Sequence, residues 1–267
     1  MMEVEGYEFW LDGYIKDNLD IVQNEAIPNK WDAVFIVFGR EGSGKTTFAT
    51  QAALYLDNNF NLNSVAFTPE QFEKAIDEAP DESSIVWDEA ITGANVALFA
   101  NRISVSIISK LTQIRKKKLK IFLCFPYLHM LNKYFIGRCM GSFYIYAKDF
   151  DDRGYGYFYN ATETELLYGV MKENFKHTPL KAINHVWKSF YFRYAPTFCL
   201  PEKEYDKKKE SARVQSTIEN KNIWKVRLKS VLQVLRDEFN ISTAKIAKKI
   251  GTKKENLYAL FKGEESV

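Results

Sequence analysis

Short apolar runs and amphipathic stretches alternate along this chain. Ala33-Val34-Phe35-Ile36-Val37-Phe38 is continuously apolar between Asp32 and Gly39 and predicts a strand covered on both faces. The run from Thr46 to Leu56 reads as a helix. Ser64-Val65-Ala66-Phe67 predicts a short strand. Thr68 then opens a second helix as its N-cap, with Pro69 in the first helical position and Gln71 completing a capping box. Further strands fall at Ser84–Trp87 and Lys120–Phe125, the latter stopped by Pro126. Helical stretches cover about 103–118 and about 129–136. Ser142–Tyr146 and Tyr155–Tyr159 predict a hairpin, joined by turn residues Asp149, Asp151, Asp152, Arg153 and Gly154. Strands alternating with helices predict an α/β fold, a parallel sheet with helices on both faces.

The two ends differ from this middle. Residues 1–32 form a polar lead-in whose aromatics (Tyr7, Phe9, Trp10, Tyr14) are expected to pack on the core. The Lys-rich stretch from Glu202 to Glu210 reads as a linker. Beyond it, three short helices are expected. The first covers about Ile223–Phe239. The second is capped by Ser242 or Thr243 and turns at Gly251. The third is capped by Thr252, with Glu255 as capping-box partner and Leu257, Leu260 and Phe261 as its apolar face. The expected organisation is a domain over 1–200, a linker over 201–221 and a small all-α domain over 222–267.

The candidate chemistry begins where the first strong strand meets its helix. Gly39-Arg40-Glu41-Gly42-Ser43-Gly44-Lys45-Thr46 is a complete G-x-x-x-x-G-K-[ST] phosphate loop. Glycines let the backbone wrap a phosphate chain so that N–H groups and the helix N-terminus face the negative charge. Gly39, Gly42, Ser43, Gly44, Lys45, Thr46 and Thr47 are the expected ATP-binding residues. Lys45 would reach the β- and γ-phosphates, and the Thr46 hydroxyl would ligate Mg²⁺. A second element follows the third strand. Ile85-Val86-Trp87 delivers Asp88-Glu89 at its carboxyl end, the Walker B pattern. Asp88 is expected to hold Mg²⁺ and Glu89 to act as general base toward water. The pairs Asp77-Glu78 and Asp81-Glu82 follow no apolar strand.

Composition narrows the picture. Apolar residues make up 46% and aromatic residues 15%, so a sizeable core is available and global disorder is excluded. The net charge of +3 is unevenly placed: residues 220–267 hold 11 Lys/Arg against 5 Asp/Glu, a local +6 that leaves −3 for the rest. A basic tail implies a polyanionic partner. Cys124, Cys139 and Cys199 are widely separated and lack metal-ligand spacing, as expected of a reducing interior. There is no leader pattern and no run long enough to span a membrane, so a cytoplasmic protein without membrane contact is expected.

The paired tail helices resemble a helix-turn-helix DNA-binding domain. In that arrangement the second helix of the motif enters the major groove. Lys253, Lys254, Asn256 and Tyr258 would then face DNA, with Lys245, Lys248 and Lys249 near phosphates. A helical bundle used for oligomerisation has the same pattern. The run Arg115-Lys116-Lys117-Lys118-Leu119-Lys120 reads first as a basic helix end and second as a nucleic-acid contact.

The order of phosphate loop, Asp-Glu strand, basic helix end, Ile-Phe-Leu-Cys-Phe-Pro strand and Arg-Gly-Tyr-containing hairpin resembles ATPases of phages, plasmids and other mobile elements. Over residues 30–200 the chain is similar to the FtsK–HerA-type DNA-pumping ATPases and to Zot-like phage proteins, within the ASCE division of P-loop ATPases. The resemblance implies an extra strand, here Lys120–Phe125, between the loop strand and the Walker B strand. It implies a polar sensor at that strand's end, where this chain has Cys124-Phe125-Pro126-Tyr127; Tyr127 and His129 are weak substitutes. It implies an arginine given to a neighbouring subunit, for which Arg138 occupies the matching place, with Arg102 and Arg153 as lesser candidates. It also implies a homo-oligomeric ring, often a hexamer, that moves on DNA. The expected function is a DNA-dependent ATPase and translocase. The alternatives are an ATP-switched DNA-binding regulator or helicase loader, and a nucleotide or small-molecule kinase.

Overall fold

A computed structural model describes residues 2–4, 7–88, 105, 108–110, 112–174, 189–192, 199–239, 241–253 and 255–258. The chain divides into two compact units, Met1–Lys209 and Glu210–Val267.

The first unit is built on a seven-stranded sheet. Its strands are β3 (Ala33–Phe38), β4 (Val65–Ala66), β5 (Ser84–Asp88), β6 (Lys120–Phe125), β7 (Gly141–Tyr146), β8 (Tyr155–Asn160) and β9 (Ser189–Tyr191), in the spatial order β4-β5-β6-β3-β7-β8-β9. A separate two-stranded ribbon pairs β1 (Met2–Val4) with β2 (Tyr7–Phe9). The five strands from β4 to β7 are parallel, and β8 and β9 add antiparallel at the edge. The architecture is thus a mostly parallel α/β sheet flanked by helices. β6 lies between β3 and β5, the place expected for Lys120–Phe125.

Every residue of β3, β5 and β6 is buried, as continuous apolar runs require when both faces of a parallel sheet are covered. On one face Val34, Ile36 and Phe38 join a core with Phe72, Trp87, Leu123, Phe135, Leu167 and Met171. These come in part from α3 (Pro69–Glu78), α4 (Lys133–Ile136) and α5 (Ala161–Asn174). On the other face Phe35 stacks on Phe122 and meets Phe143, which packs against Phe48 of α2 (Lys45–Leu56). Helix α2 is buried over most of its circumference.

The local signals hold in detail. The Thr68 hydroxyl accepts from the Gln71 amide at 3.2 Å, and the Gln71 side chain accepts from the Phe67 amide at 3.0 Å. The lead-in contains α1 (Gly13–Ile21), capped by Asp12. Of its aromatics, Phe9 is buried and Tyr14 half-buried, but Trp10 is exposed. A bridge between Leu11 and Phe192 fixes the chain beside β9, so the packing of neighbouring Phe9 leaves Trp10 outward. The expected helix over 129–136 is a 3₁₀ turn at Leu128–Met130 followed by the short α4. Of the helix expected over about 103–118, residues 105, 108–110 and 112–116 are helical, Lys117 and Lys118 form a turn, and the others lie outside the described residues.

The basic run before β6 is engaged within the fold. Lys117 Nζ donates to the carbonyls of Ile76, Asp77 and Ala79 and so caps the end of α3. Lys118 pairs with Glu82. Lys120, fully buried, donates to the Leu56 carbonyl at 2.7 Å and to Gln23 Oε1 at 3.1 Å. Arg115 and Lys116 remain exposed.

The stretch expected as a linker is helical instead. A single helix, α6 (Glu202–Asp237), covers it and takes in the helix expected from Ile223. Lys, Glu, Arg and Ala are strong helix formers, so the composition that reads as a charged linker serves equally well for an exposed helix. In the second unit Leu232, Ile246, Ala247 and Leu257 form a small core with Leu235 and Ile241. There α7 (Thr243–Ile250) is capped by Ser242, whose side chain accepts from the Lys245 amide, and ends at Gly251 with φ +71°. Residues 255–258 have helical backbone.

All three cysteines are buried and outside any disulfide. Burial pushes the Cys139 and Cys199 thiols up to about 12. Among the described residues no helix is long and apolar enough to cross a membrane.

Candidate functional site

The loop between β3 and α2 is shaped by three glycines with positive φ: Gly39 (+150°), Gly42 (+74°) and Gly44 (+98°). Gly44 is the left-handed N-cap of α2. At Gly39 the constraint is also steric, since a Cβ would lie 2.0 Å from the Ile145 carbonyl oxygen of β7. The loop therefore starts pressed against the neighbouring strand and must turn without a side chain. Lys45 Nζ spans the loop to the Arg40 carbonyl at 2.9 Å. Burial holds the Lys45 ammonium below its ordinary range, while Cys124, Asp88 and Glu41 act in the opposite direction. Ser43 is buried, and its hydroxyl has no hydrogen-bond partner among the described residues. A buried, unmatched hydroxyl inside a loop of backbone amides is a feature that a phosphate oxygen would satisfy.

Asp88 ends β5, and its carboxylate is buried. Thr46, at the start of α2, donates to Asp88 Oδ1 at 2.9 Å. The two predicted metal-site residues are thus brought together from 42 positions apart, over the carboxyl ends of parallel strands. One hydroxyl and one carboxylate are hard oxygen donors suited to Mg²⁺. Among the described residues no three His, Cys, Asp or Glu gather into a closed metal site. A Mg²⁺ ion held here would draw its other ligands from phosphate and water, its usual habit. The residues present therefore fit a magnesium–nucleotide group.

Two further residues reach this site from α6, and a third anchors the helix beside it; no motif announced them. The Tyr205 hydroxyl donates to Asp88 Oδ2 at 2.5 Å, and Lys209 Nζ donates to the same oxygen at 2.7 Å. Lys208 Nζ donates to the carbonyls of Leu62 and Val65 at 2.8 and 2.6 Å, tying the helix to β4. Burial first, and then the Asp88 charge, push the Tyr205 phenol well above its ordinary range, so it remains an O–H donor. Its ring meets Phe67 edge-on at 5.1 Å. The only sequence signal is spacing: 205, 208 and 209 share one helix face.

The remaining predicted residues are dispersed or undescribed. Thr47 is half-buried beside Thr46. Glu89, the expected general base, lies outside the described residues, as do Arg102 and Lys254. Arg138 does not point at the loop of its own chain: its Nη2 donates to both oxygens of Asp32, just before β3. Tyr127 and His129 stack on one another with ring centroids 5.7 Å apart. Arg153 donates to the Phe150 carbonyl in the hairpin turn. In the second unit Lys245, Lys248, Lys249, Lys253, Asn256 and Tyr258 are all exposed.

No protein-family model matches the chain, and no curated protein matches it.

Proposed function

We propose that this chain is a Mg²⁺-dependent ATPase whose turnover is coupled to DNA, a ring-forming translocase of a phage or other mobile element. The observation that carries the ATPase reading is the Thr46–Asp88 hydrogen bond beside the glycine-wrapped loop. In this reading the loop amides and Lys45 hold the phosphates, and Thr46 and Asp88 hold the magnesium ion, which when bound neutralises charge on the phosphates. Glu89, next to Asp88, takes the proton of the attacking water. For Arg138 to serve a neighbouring subunit, its pair with Asp32 must open in the assembly.

DNA is the proposed partner because α7 carries the exposed Lys245, Lys248 and Lys249, and exposed Lys253 follows the left-handed Gly251, over a small core. The three α7 lysines would contact phosphates, and Lys253, Lys254, Asn256 and Tyr258 would lie toward the groove. A second reading is an ATP-switched DNA-binding regulator or helicase loader. The engagement of Asp88 by Tyr205 and Lys209 favours it, since a switch needs a site its own chain can occupy.

The test is phosphate release with and without duplex DNA, alongside the mass of the assembly. Stimulation of at least tenfold in a ring-sized species supports the translocase. Slow, DNA-insensitive turnover with nucleotide-dependent DNA binding supports the switch. Glu89→Gln is expected to retain nucleotide and lose about 10²-fold or more in turnover; normal turnover overturns the assignment of the base.

A further inference from the structure

We propose that Lys209 is the resident counter-cation of Asp88, that magnesium and nucleotide displace it, and that the first turns of α6 loosen as they bind. This inference rests on the reading of Gly39–Thr46 as a nucleotide loop and adds a regulatory step to it.

The argument begins with the Asp88 carboxylate, whose side chain is only 6% exposed. A buried carboxylate requires a compensating charge and a full set of donors. Here Thr46 serves Oδ1, while Tyr205 and Lys209 share Oδ2. The ammonium of Lys209 thus supplies the positive charge at the carboxylate that the loop reading assigns to magnesium. Two cations cannot be held side by side on one carboxylate without strong repulsion. Ion loading at Thr46 and Asp88 and retention of the Lys209 contact therefore oppose each other.

The surroundings decide which of the two α6 residues moves. Lys209 is one-third exposed, at 33%, and its flexible stem can carry the ammonium into solvent. Tyr205 is buried against Phe67 and cannot leave without the helix. Lys208 holds the helix at two carbonyls that do not belong to the site. Loading therefore removes the Lys209 contact first and loosens the turn around it, with Lys208 and Tyr205 as the remaining anchors. Competing occupants of one site are coupled reciprocally: whatever holds α6 down opposes nucleotide, and nucleotide opposes the hold.

The experiment uses the full chain, ADP with magnesium chloride, and two readouts. Equilibrium binding of ADP as a function of magnesium is measured for wild type, Lys209→Ala and Lys209→Arg. Amide hydrogen exchange across 202–213 is measured for wild type and Lys45→Ala, with and without Mg-ADP. The expected results are magnesium-dependent ADP binding about 5-fold tighter in Lys209→Ala, near wild type in Lys209→Arg, and faster exchange of 202–213 in wild type only. Weaker Mg-ADP binding by Lys209→Ala, or unchanged or slower exchange in wild type that has bound ADP, overturns the proposal and leaves the nucleotide loop standing. If wild type binds no nucleotide, the loop reading itself falls. Should Lys209→Ala fail to fold, the wild-type exchange data still decide.

Discussion

Arg138 Nη2 donates to both carboxylate oxygens of Asp32, at 2.8 and 2.6 Å, across 106 positions of sequence. The Asp32 side chain is 2% exposed and that of Arg138 26%. The pair pins the segment before β7 to the entrance of β3, the strand that leads into the glycine-rich loop. Arg138→Ala would leave a buried carboxylate without its cation. Breaking a buried pair from one side costs about 3–5 kcal/mol, and the partial exposure of Arg138 lowers the expectation to about 2–3 kcal/mol. Urea unfolding checks it. A loss within about 0.5 kcal/mol of zero would mean that the pair is dispensable and that Arg138 is free to act elsewhere.

Gly39 and Gly42 belong to the same loop but should respond differently to alanine. At Gly39 the added methyl meets the Ile145 carbonyl of β7, a strand paired with β3 on one side and β8 on the other. At Gly42 nothing lies within 4 Å of the added carbon, and only the positive φ is at issue. Gly39→Ala should therefore cost about 2–3 kcal/mol and displace the loop from β7, whereas Gly42→Ala should cost about 1 kcal/mol. Equal losses for the two variants in urea unfolding would show that the close approach to β7 is not what the loop depends on.

The parts of the fold set by local chemistry were legible in the chain. Ala33–Phe38 and Lys120–Phe125 are fully apolar runs or nearly so, and both are strands with those bounds. The Thr68–Gln71 cap and the Ser142–Tyr159 hairpin follow from single turns of chain and needed no partner to be recognised. Thr46 and Asp88 could be expected to meet because each sits at the end of a sequence pattern with a strand before it, and they do meet at 2.9 Å. What could not be read depends on distant packing. Lys209 meets Asp88 across 121 positions, and a lysine in a Lys/Glu-rich run gives no sign of where it points. The same holds for Lys120: its charge reads as surface, yet it opens β6 between Leu119 and Ile121 and is as buried as they are. β9 follows a segment without a strong alternating pattern and gains its place by pairing with β8.

Lys120 carries a pH dependence of definite sign. Burial holds its ammonium below the ordinary lysine range, while Asp57 and Glu82 offset part of that shift. The unfolded chain keeps the ordinary value of about 10.5. Between the folded and unfolded values the unfolded state binds a proton that the folded state has released. Unfolding then takes up protons, and stability rises with pH across that window. Below the window the folded state carries the whole cost of burying the ammonium, offset by its bonds to Leu56 and Gln23. Lys120→Met removes the titrating group while keeping an apolar stem of similar length. The stability of wild type relative to Lys120→Met should therefore climb as pH rises toward 10.5, by at most about 1.4 kcal/mol per pH unit. Taking the difference at each pH cancels the other titrating groups, including the buried tyrosines, which both proteins share. Urea midpoints at pH 7, 8.5 and 10 supply the measurement. A difference that stays flat with pH would show that Lys120 keeps an ordinary lysine's proton affinity in the folded state. A difference that falls would mean that the bonds to Leu56 and Gln23, made by the charged form, outweigh its desolvation.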